Sequence, residues 1–533
     1  MTNSPQLKMA LKKIIKPLIN EQLWKDYPEV ATIEVNGIEL DSRQVKEGEM
    51  FVAYPGYTTD GRSYIEQAVD AGASVILFEK ENSETILKTL LNDNQQVTAS
   101  AKTLSGVAPM ELYNYKEAVL IPVKNLSSKV SLIAARFYGN PTKKMSVIGV
   151  TGTNGKTSCA YLLAQALEFL QYPTLMLSTV GNGNPSSLKA TENTTPDAIA
   201  IQRLSAAYLD RKNYHMTMEV SSHGLVQSRV SAVQYKIAVF TNVSQDHLDY
   251  HGDMESYFQA KRQLFLSDNL EVAVINADDE YGRRLLADDS IACQKIAYSC
   301  VGKSDELNIK DWIVAKNQTF NMKGIQAELH TPWGTSKLRS GLLGHFNLSN
   351  LLAVAGSLGV LFGDISKWIV ALNAAKAVPG RMQSFSASGK ATVVVDYAHT
   401  PDALDKTLTS LREHCGGELW CIFGCGGDRD TSKRSVMGAV AEQKSNHVVI
   451  TDDNPRTENA EEIVAMIREG MKDKATRYIQ KRKEAIEFAL KNSSVNDMIL
   501  VAGKGHEDYQ QIGKKKVKYS DLETVATLME ETS

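Results

Sequence analysis

MSVIGVTGTNGKTSCAYLLAQALEFL, Met145 to Leu170, is the stretch on which the fold turns. The apolar run MSVIGV ends in a glycine-rich turn, and SCAYLLAQALEFL follows with apolar positions at helical spacing. Strand, glycine turn and helix together let backbone amides and a helix N-terminus cradle phosphate. In TGTNGKTS the cradle residues are Gly152, Thr153, Asn154, Gly155 and Ser158, with Lys156 placed for the terminal phosphates of ATP and Thr157 for a magnesium ion. The strict motif needs glycine five residues before Gly155; Val150 stands there, so the loop is a variant. A simple turn closing a strand-helix unit explains Gly152 and Gly155 but not Lys156 beside Thr157.

Working outward, HMTMEV, KIAVFTNV and EVAVINADDE continue an alternation of strands and helices, which predicts a parallel sheet with crossover helices. Glu219 ends one of these strands, and His247 lies in SQDHLDYHGD beyond the next. Both therefore fall on the carboxyl edge of the sheet, which is also the edge of the phosphate loop. Glu219 is a candidate magnesium ligand with Thr157, since Mg²⁺ prefers oxygen; His247 is a less usual ligand type.

Upstream, MFVAYPG and ASVILFEK flank the helical pattern SYIEQAVDAG and make a small α/β unit. The first 20 residues predict a surface helix, with lysines spread among apolar positions, rather than a secretory signal. Residues 81–116 predict a helix and then a loop without chemistry.

Downstream, helices near Asn347 to Leu361 and Ile365 to Ala375 lead to the turn VPGR. ATVVVDY, LWCIFGCGG, HVVITDDN and MILVAGKG then predict a separate doubly wound domain. The expected fold is α/β in three domains: 1–141, 142–380 and 381–533. GCGGDRD lacks the third glycine of a dinucleotide fingerprint, which argues against a nicotinamide site. Arg429, Asp453, Asn454, Arg456, Glu507 and Asp508 all follow strands of the last domain. They suggest either a polar pocket for a zwitterionic ligand or a set of solvated loop charges. The run Lys514 to Lys516 with Lys518 predicts a solvated hairpin.

Composition sets the outer limits. At 533 residues the chain is too long for one small binding module, and 43% apolar with 23% charged residues excludes global disorder. Lys plus Arg total 59 against 62 Asp plus Glu, so no strong net field draws nucleic acid or an anionic membrane. No apolar run of membrane-spanning length is expected, and six cysteines without a CxxC predict reduced thiols in a soluble cytoplasmic protein.

Ten motifs in order carry a resemblance: DSR at Asp41, TGTNGKT at Thr151, ENTTP at Glu192, MEVSSHGL at Met218, DHLDYHG at Asp246, GHFNLSN at Gly344, DYAHTPDAL at Asp396, GDRD at Gly427, DNPR at Asp453 and GKGHED at Gly503. With them the chain resembles the Mur ligases of bacterial cell-wall synthesis over nearly its whole length. The resemblance implies a small N-terminal α/β domain for UDP, a central P-loop ATPase-like domain and a C-terminal Rossmann-like domain. It implies ATP-dependent amide formation through an acyl phosphate. The resemblance implies meso-diaminopimelate as the amine and UDP-N-acetylmuramoyl-L-alanyl-D-glutamate as the acceptor, in peptidoglycan precursor synthesis serving cell shape and division. A monomer is expected.

Carried over by position, Lys156, Glu219, His247 and Lys261 are the implied catalytic set. Thr157, Glu219, His247 and Lys261 are the implied magnesium ligands, the lysine as a carbamate derived from carbon dioxide. Asn347, Asn350, Arg381 and Asp396 match positions around adenine, ribose and phosphate. Leu40, Ser42, Tyr57, Thr58 and Thr59 match the uridine pocket; Asn193, Thr194, Thr195, Ser221, Gln227 and Arg229 match the muramoyl-dipeptide site. Tyr57 departs from the pattern, where close relatives have His. Arg429, Asp453, Asn454, Pro455, Arg456, Gly503 and Glu507 are the implied diaminopimelate residues, Arg456 and Asn454 for the distal carboxylate and Glu507 and Asp453 for the ammonium. A lysine-adding member of the family is the nearest rival, against which DNPR argues. Folylpolyglutamate synthase is disfavoured by DSR and GKGHED, and a nucleotide-driven switch would hydrolyse ATP without an acceptor.

Overall fold

The computed structural model describes residues 7–19, 21–57, 59–92, 98–99, 112–191, 193–211, 214–473 and 476–530. The chain divides into two compact units: Met1–Lys156, Gln171–Ala273 and Asp288–Gln294 in the first, and Thr157–Leu170, Val274–Ala287 and Lys295–Ser533 in the second.

The first unit holds two sheets. In the N-terminal one the strands Ile38–Glu39, Met50–Ala53, Val75–Glu79 and Ala118–Val123 lie side by side and parallel, followed by the antiparallel Tyr113–Tyr115 and Thr98–Ala99. Alternate side chains face opposite cores. Val52, Leu77 and Ile121 point one way, while Phe51, Ile76 and Phe78 point the other, against Ile65 and Ala68. The helix Leu11–Ile15 closes the first of these cores. Its Leu11, Ile14 and Ile15, at i, i+3 and i+4, are fully buried, each stabilising by about 1.5 to 3 kcal/mol. The expected surface helix is therefore a core-facing one, with Lys13 on the outer side. Within 81–116 the helix Glu84–Asn92 is present; residues 93–97 and 100–111 lie outside the described residues.

In the second sheet of this unit the order is Gly181–Gly183, Thr174–Ser178, His215–Glu219, Ser146–Thr151, Ile237–Phe240, all parallel except the first. Ser146–Thr151 lies between neighbours that end level with it, Glu219 opposite Val150 and Phe240 opposite Thr151. The segments that follow all three strands therefore emerge at one edge.

In the second unit, Ile296 to Ser299 pair in parallel with the start of Asp311–Asn321, which continues into an antiparallel meander through Gly324–Thr331 and Gly334–Ser340. The helix His345–Phe362 has the length and composition of a membrane span, contrary to expectation, but 67% of it is buried within the protein. Its apolarity is that of a core helix, packing Leu348, Leu351, Leu352 and Val354. The helix expected at 365–375 is two short pieces, Ile365–Lys367 and Ile369–Asn373, separated at the buried Trp368.

The C-terminal sheet runs Gln383–Phe385, Thr392–Asp396, Met498–Ala502, Leu419–Phe423, His447–Ile450, Arg477–Tyr478, parallel except for the first. Behind it Arg482 and Asp521 form an ion pair at 2.6 Å in which neither side chain is exposed.

Candidate active site

The phosphate-type loop is held by the segment after Ile237–Phe240. Thr153 N–H donates to the Asn242 carbonyl at 2.7 Å, Asn154 N–H to Asn242 Oδ1 at 3.0 Å, and Thr241 Oγ1 to the Asn154 carbonyl at 2.6 Å. Gly152 has φ +152°, and a Cβ there would collide with Thr241 Oγ1, so this tight approach requires glycine. Thr157 and Ser158 occupy the first turn of the helix Lys156–Phe169.

Two lysines converge on one oxygen. Lys156 Nζ donates to the Gly152 carbonyl at 2.9 Å and to that of Thr153 at 2.8 Å; Lys261 Nζ donates to the same Gly152 carbonyl at 2.7 Å. Lys261, on the helix Met254–Arg262, is 1% exposed, and among the described residues no carboxylate pairs with it. Burial, and then the neighbouring Lys156 charge, hold its pKa well below the usual lysine value.

Glu219 is buried; its Oε1 accepts Thr179 N–H at 2.8 Å. Thr195 Oγ1 donates to the Glu219 carbonyl at 2.9 Å and accepts Ser221 N–H at 2.9 Å, tying the segment at Thr195 to the strand end. Arg229 bridges the same parts, donating to the Thr195 carbonyl at 2.9 Å and through Nε to Gln227 Oε1 at 2.8 Å.

These residues enclose a cavity of about 230 Å³. Lys156, Asn193, Thr194, Thr195, Ser221, Arg229, His247 and Lys261 line it, as do Ser222, His223 and Tyr257, which sequence reasoning missed. The His223 ring lies 4.9 Å from that of His247 and 4.1 Å from that of Tyr250. A polar run after a strand at this edge, as in MEVSSHGL, was the available signal for Ser222 and His223. Glu219 is not part of the lining. Among the described residues no three His, Cys, Asp or Glu side chains are grouped to hold a metal.

In the N-terminal sheet region, Ser42 is buried and donates to Gln67 Oε1 at 2.8 Å; Leu40 is half-buried. Asp41 is held by Arg43 and its pKa falls to about 2. Tyr57 is 85% exposed with its ring 6.0 Å from Tyr250, whose hydroxyl accepts from Gln227 Nε2 at 3.4 Å. Thr59 closes the same turn through Gly56 N–H, and Thr58 lies outside the described residues.

In the second unit, Asn350 Oδ1 accepts from Cys159 Sγ of the helix Lys156–Phe169 at 3.4 Å, and Asn350 Nδ2 donates to Asn347 Oδ1 at 3.1 Å. Arg381 stacks 4.8 Å from the Tyr397 ring centroid. Asp396 already accepts Met382 N–H at 2.8 Å and Ala398 N–H at 2.9 Å, so its carboxylate pins the VPGR turn to the sheet.

The loops after Leu419–Phe423, His447–Ile450 and Met498–Ala502 meet at one edge of the C-terminal sheet. Gly427 N–H donates to the Asn454 carbonyl at 2.9 Å, Arg456 Nη1 to the Gly427 carbonyl at 2.7 Å, and Asn454 Nδ2 to Glu507 Oε2 at 3.0 Å. Asp453 and Pro455 are buried between them, and Gly503 has φ +114° with Asp453 Oδ2 where a Cβ would sit. Arg429, by contrast, is exposed. Arg456 has φ +50° and is braced by the hairpin Tyr509–Ile512 and Lys515–Lys518: its N–H donates to the Gln511 carbonyl at 3.1 Å and its carbonyl accepts Gly513 N–H at 2.7 Å. The lysines of this hairpin are solvated as expected, but its backbone clamps the pocket loop. Glu507 is not a free carboxylate as expected: the fully buried Lys504 is bonded to its Oε2 at 2.8 Å. Lys504, Gln510 and Gln511 were not foreseen.

Comparisons with known proteins agree with this fold. Family models match in three stretches: "Mur ligase family, catalytic domain" over 34–138, "Mur ligase middle domain" over 150–358 and "Mur ligase, glutamate ligase domain" over 380–505. The chain is 41% identical to a UDP-N-acetylmuramoyl-L-alanyl-D-glutamate–2,6-diaminopimelate ligase of Coxiella burnetii, over 92% of this chain and 95% of that one. It is 43% identical to the protein of the same name in Pseudomonas aeruginosa, over 92% and 94%. A solved structure of a ligase of that name superposes with TM-score 0.70 at 30% identity, covering 98% of this chain and 99% of the other. A folylpolyglutamate synthase of Mycobacterium tuberculosis gives TM-score 0.56 at 19% identity over 76% and 96%, which shows a shared fold alone.

Proposed function

This chain belongs to the Mur ligase family, and we propose that it joins meso-diaminopimelate to the D-glutamyl carboxylate of UDP-N-acetylmuramoyl-L-alanyl-D-glutamate, using ATP, in peptidoglycan precursor synthesis. One observation carries the reading: Lys156 of the phosphate loop and the polar set Asn193, Thr194, Thr195, Ser221 and Arg229 line a single cavity. A cation for phosphate and a cradle for a carboxylate-bearing substrate thus face the same space.

A carboxylate repels nucleophiles, whereas an acyl phosphate carries a good leaving group. Transfer of the γ-phosphoryl group to a carboxylate oxygen yields the acyl phosphate and ADP. The amine then attacks the acyl carbon, the amide bond forms, phosphate leaves and the nitrogen gives up a proton. Lys156 offsets the charge that grows during transfer, and Arg229 orients the acceptor. Thr157, Glu219, His247 and Lys261 would hold magnesium, which when bound supplies further positive charge to the phosphate oxygens.

Two features favour Lys261 as a carbamate. It shares a carbonyl with Lys156, so two ammonium groups there repel, and its burial favours the neutral amine. A neutral amine adds to carbon dioxide with loss of a proton and becomes an anionic oxygen donor of the kind Mg²⁺ takes. Leu40, Ser42 and Tyr57 to Thr59 serve the uridine, Asn347, Asn350 and Arg381 the nucleotide, and the loops around Asn454 and Arg456 the amino acid. The reaction belongs in the cytoplasm, where ATP is available and cysteines persist without disulfides, and one chain supplies every residue invoked.

Phosphate release with ATP and Mg²⁺, with UDP-muramoyl-dipeptide and meso-diaminopimelate added singly and together, tests the function. Release that needs both supports ligation; release with ATP alone identifies a switch and refutes it.

A further inference from the structure

Burying an ammonium is costly unless it is paired, so a lysine with no exposed side chain beside a ligand pocket has a specific task. Lys504 is 0% exposed. Its Nζ lies 2.8 Å from Glu507 Oε2 and 3.2 Å from Asn454 Oδ1, and Asn454 Nδ2 closes the triangle onto Glu507 Oε2 at 3.0 Å. Gln511 N–H also donates to Asn454 Oδ1 at 2.8 Å. Two donors that cannot accept fix the Asn454 amide with its oxygen toward Lys504 and its NH₂ toward Glu507. Glu507 Oε2 is thereby filled, while among the described residues Oε1 has no hydrogen-bond donor.

The charges can be counted around this triangle. Asp453 is buried beside it, with Lys504 and Glu507 among the charges acting on it. Arg482, the other cation acting on Asp453, is spent on the buried Asp521. Among the buried and half-buried pocket residues the carboxylates Asp453 and Glu507 are therefore set against the cations Lys504 and Arg456; burial pushes the Asp453 carboxyl up, and Lys504 is among the cations that oppose this. Such a pocket is neutral toward a ligand end that carries both an ammonium and a carboxylate. Without Lys504 it would hold a net negative charge and suit a lone ammonium.

We propose that Lys504 is a specificity-determining positioning residue: it orients Asn454 and Glu507 and balances their charge, so that the pocket takes a zwitterionic amino-acid end in preference to the single ammonium of a lysine side chain. The inference rests on the proposed ligase function and deepens it.

The test is steady-state kinetics of the full-length protein with meso-diaminopimelate and with L-lysine, for the parent, Lys504→Met, Glu507→Gln and the double variant. In Lys504→Met the ratio of kcat/KM for diaminopimelate over lysine should fall at least about tenfold, chiefly through KM for diaminopimelate, with KM for ATP and for the UDP-substrate within about twofold of the parent. In the double variant the charge is balanced again, so the ratio should return toward that of the parent. If Lys504→Met does not fold, the comparison of Glu507→Gln with the double variant carries the test: Lys504 keeps the Asn454 Oδ1 acceptor in the first, and the ion pair is removed whole in the second. An unchanged ratio in Lys504→Met, or equal ratios in Glu507→Gln and the double variant, overturns the proposal. A parent that prefers diaminopimelate while Lys504→Met keeps that preference sinks only the role of Lys504; a parent that does not turn over diaminopimelate sinks the function itself.

Discussion

Arg456→Ala separates recognition from backbone effects unusually well. The residue sits at φ +50°, a conformation strained for any side chain with a Cβ, so arginine and alanine share that penalty and it cancels. The backbone bonds to Gln511 and Gly513 survive the change. What is lost is a half-buried guanidinium with one N–H bound to the Gly427 carbonyl at 2.7 Å. Losing that internal bond costs about 0.5 to 1.5 kcal/mol and weakens every amino-acid substrate alike, by about two- to tenfold. In the proposed function the remaining N–H groups meet the distal carboxylate of diaminopimelate, a charge-assisted contact of about 1.5 to 3 kcal/mol that lysine lacks. Arg456→Ala should therefore lower the kcat/KM ratio of diaminopimelate to lysine about 10- to 150-fold. Initial rates of phosphate release over a range of each amino acid measure it. Equal losses for the two amino acids would refute the reasoning, as would a parent enzyme with no preference.

Lys261→Ala should cut turnover about a hundredfold or more while UDP-substrate binding, measured by equilibrium dialysis, stays near that of the parent; depleting bicarbonate should lower parent activity reversibly. Full activity in carbon-dioxide-free buffer would remove the carbamate from the account. Arg482→Met should destabilise by about 3 to 5 kcal/mol in denaturant unfolding, because Asp521 is left buried and unpaired, and Arg482→Met with Asp521→Leu should recover most of it. His414 accepts Gly344 N–H through Nε2 at 2.7 Å, and burial lowers its pKa, so the folded state favours the neutral ring. Its contribution is complete above the unfolded histidine value of about 6.5 and is lost as pH falls from there through the lowered folded value. His414→Gln should flatten the pH dependence of unfolding free energy below about 6.5, and an unchanged slope would exclude this histidine as a cause.

Much of the α/β layout was legible because strand ends and helix starts here are marked by short-range chemistry: MSVIGV before TGTNGKTS, HMTMEV before Glu219, KIAVFTNV before His247. Asn193, Ser221 and Arg229 come from the resemblance rather than from this edge logic, and they line one cavity with Lys156. Where reading failed, the deciding fact was three-dimensional. Lys504 sits in GKGHED, a polar string that reads as solvated, and only its burial shows otherwise. Glu507 reads as a ligand carboxylate because nothing local shows that a lysine three residues earlier folds back onto it. The first helix reads as surface because its lysines are visible in sequence, whereas the core that Leu11, Ile14 and Ile15 enter is built more than a hundred residues away, at Ile133 and Phe137.

The strand Met498–Ala502 is the last of its sheet to be synthesised and lies between Thr392–Asp396 and Leu419–Phe423. A growing chain therefore exposes the unpaired edges of two largely apolar strands for as long as it takes the intervening segment to be made. Any chain ending before Met498 keeps those edges permanently and cannot assemble the Asn454 and Glu507 loops. Premature termination in this region should yield a protein that aggregates or is degraded, rather than a partly active one.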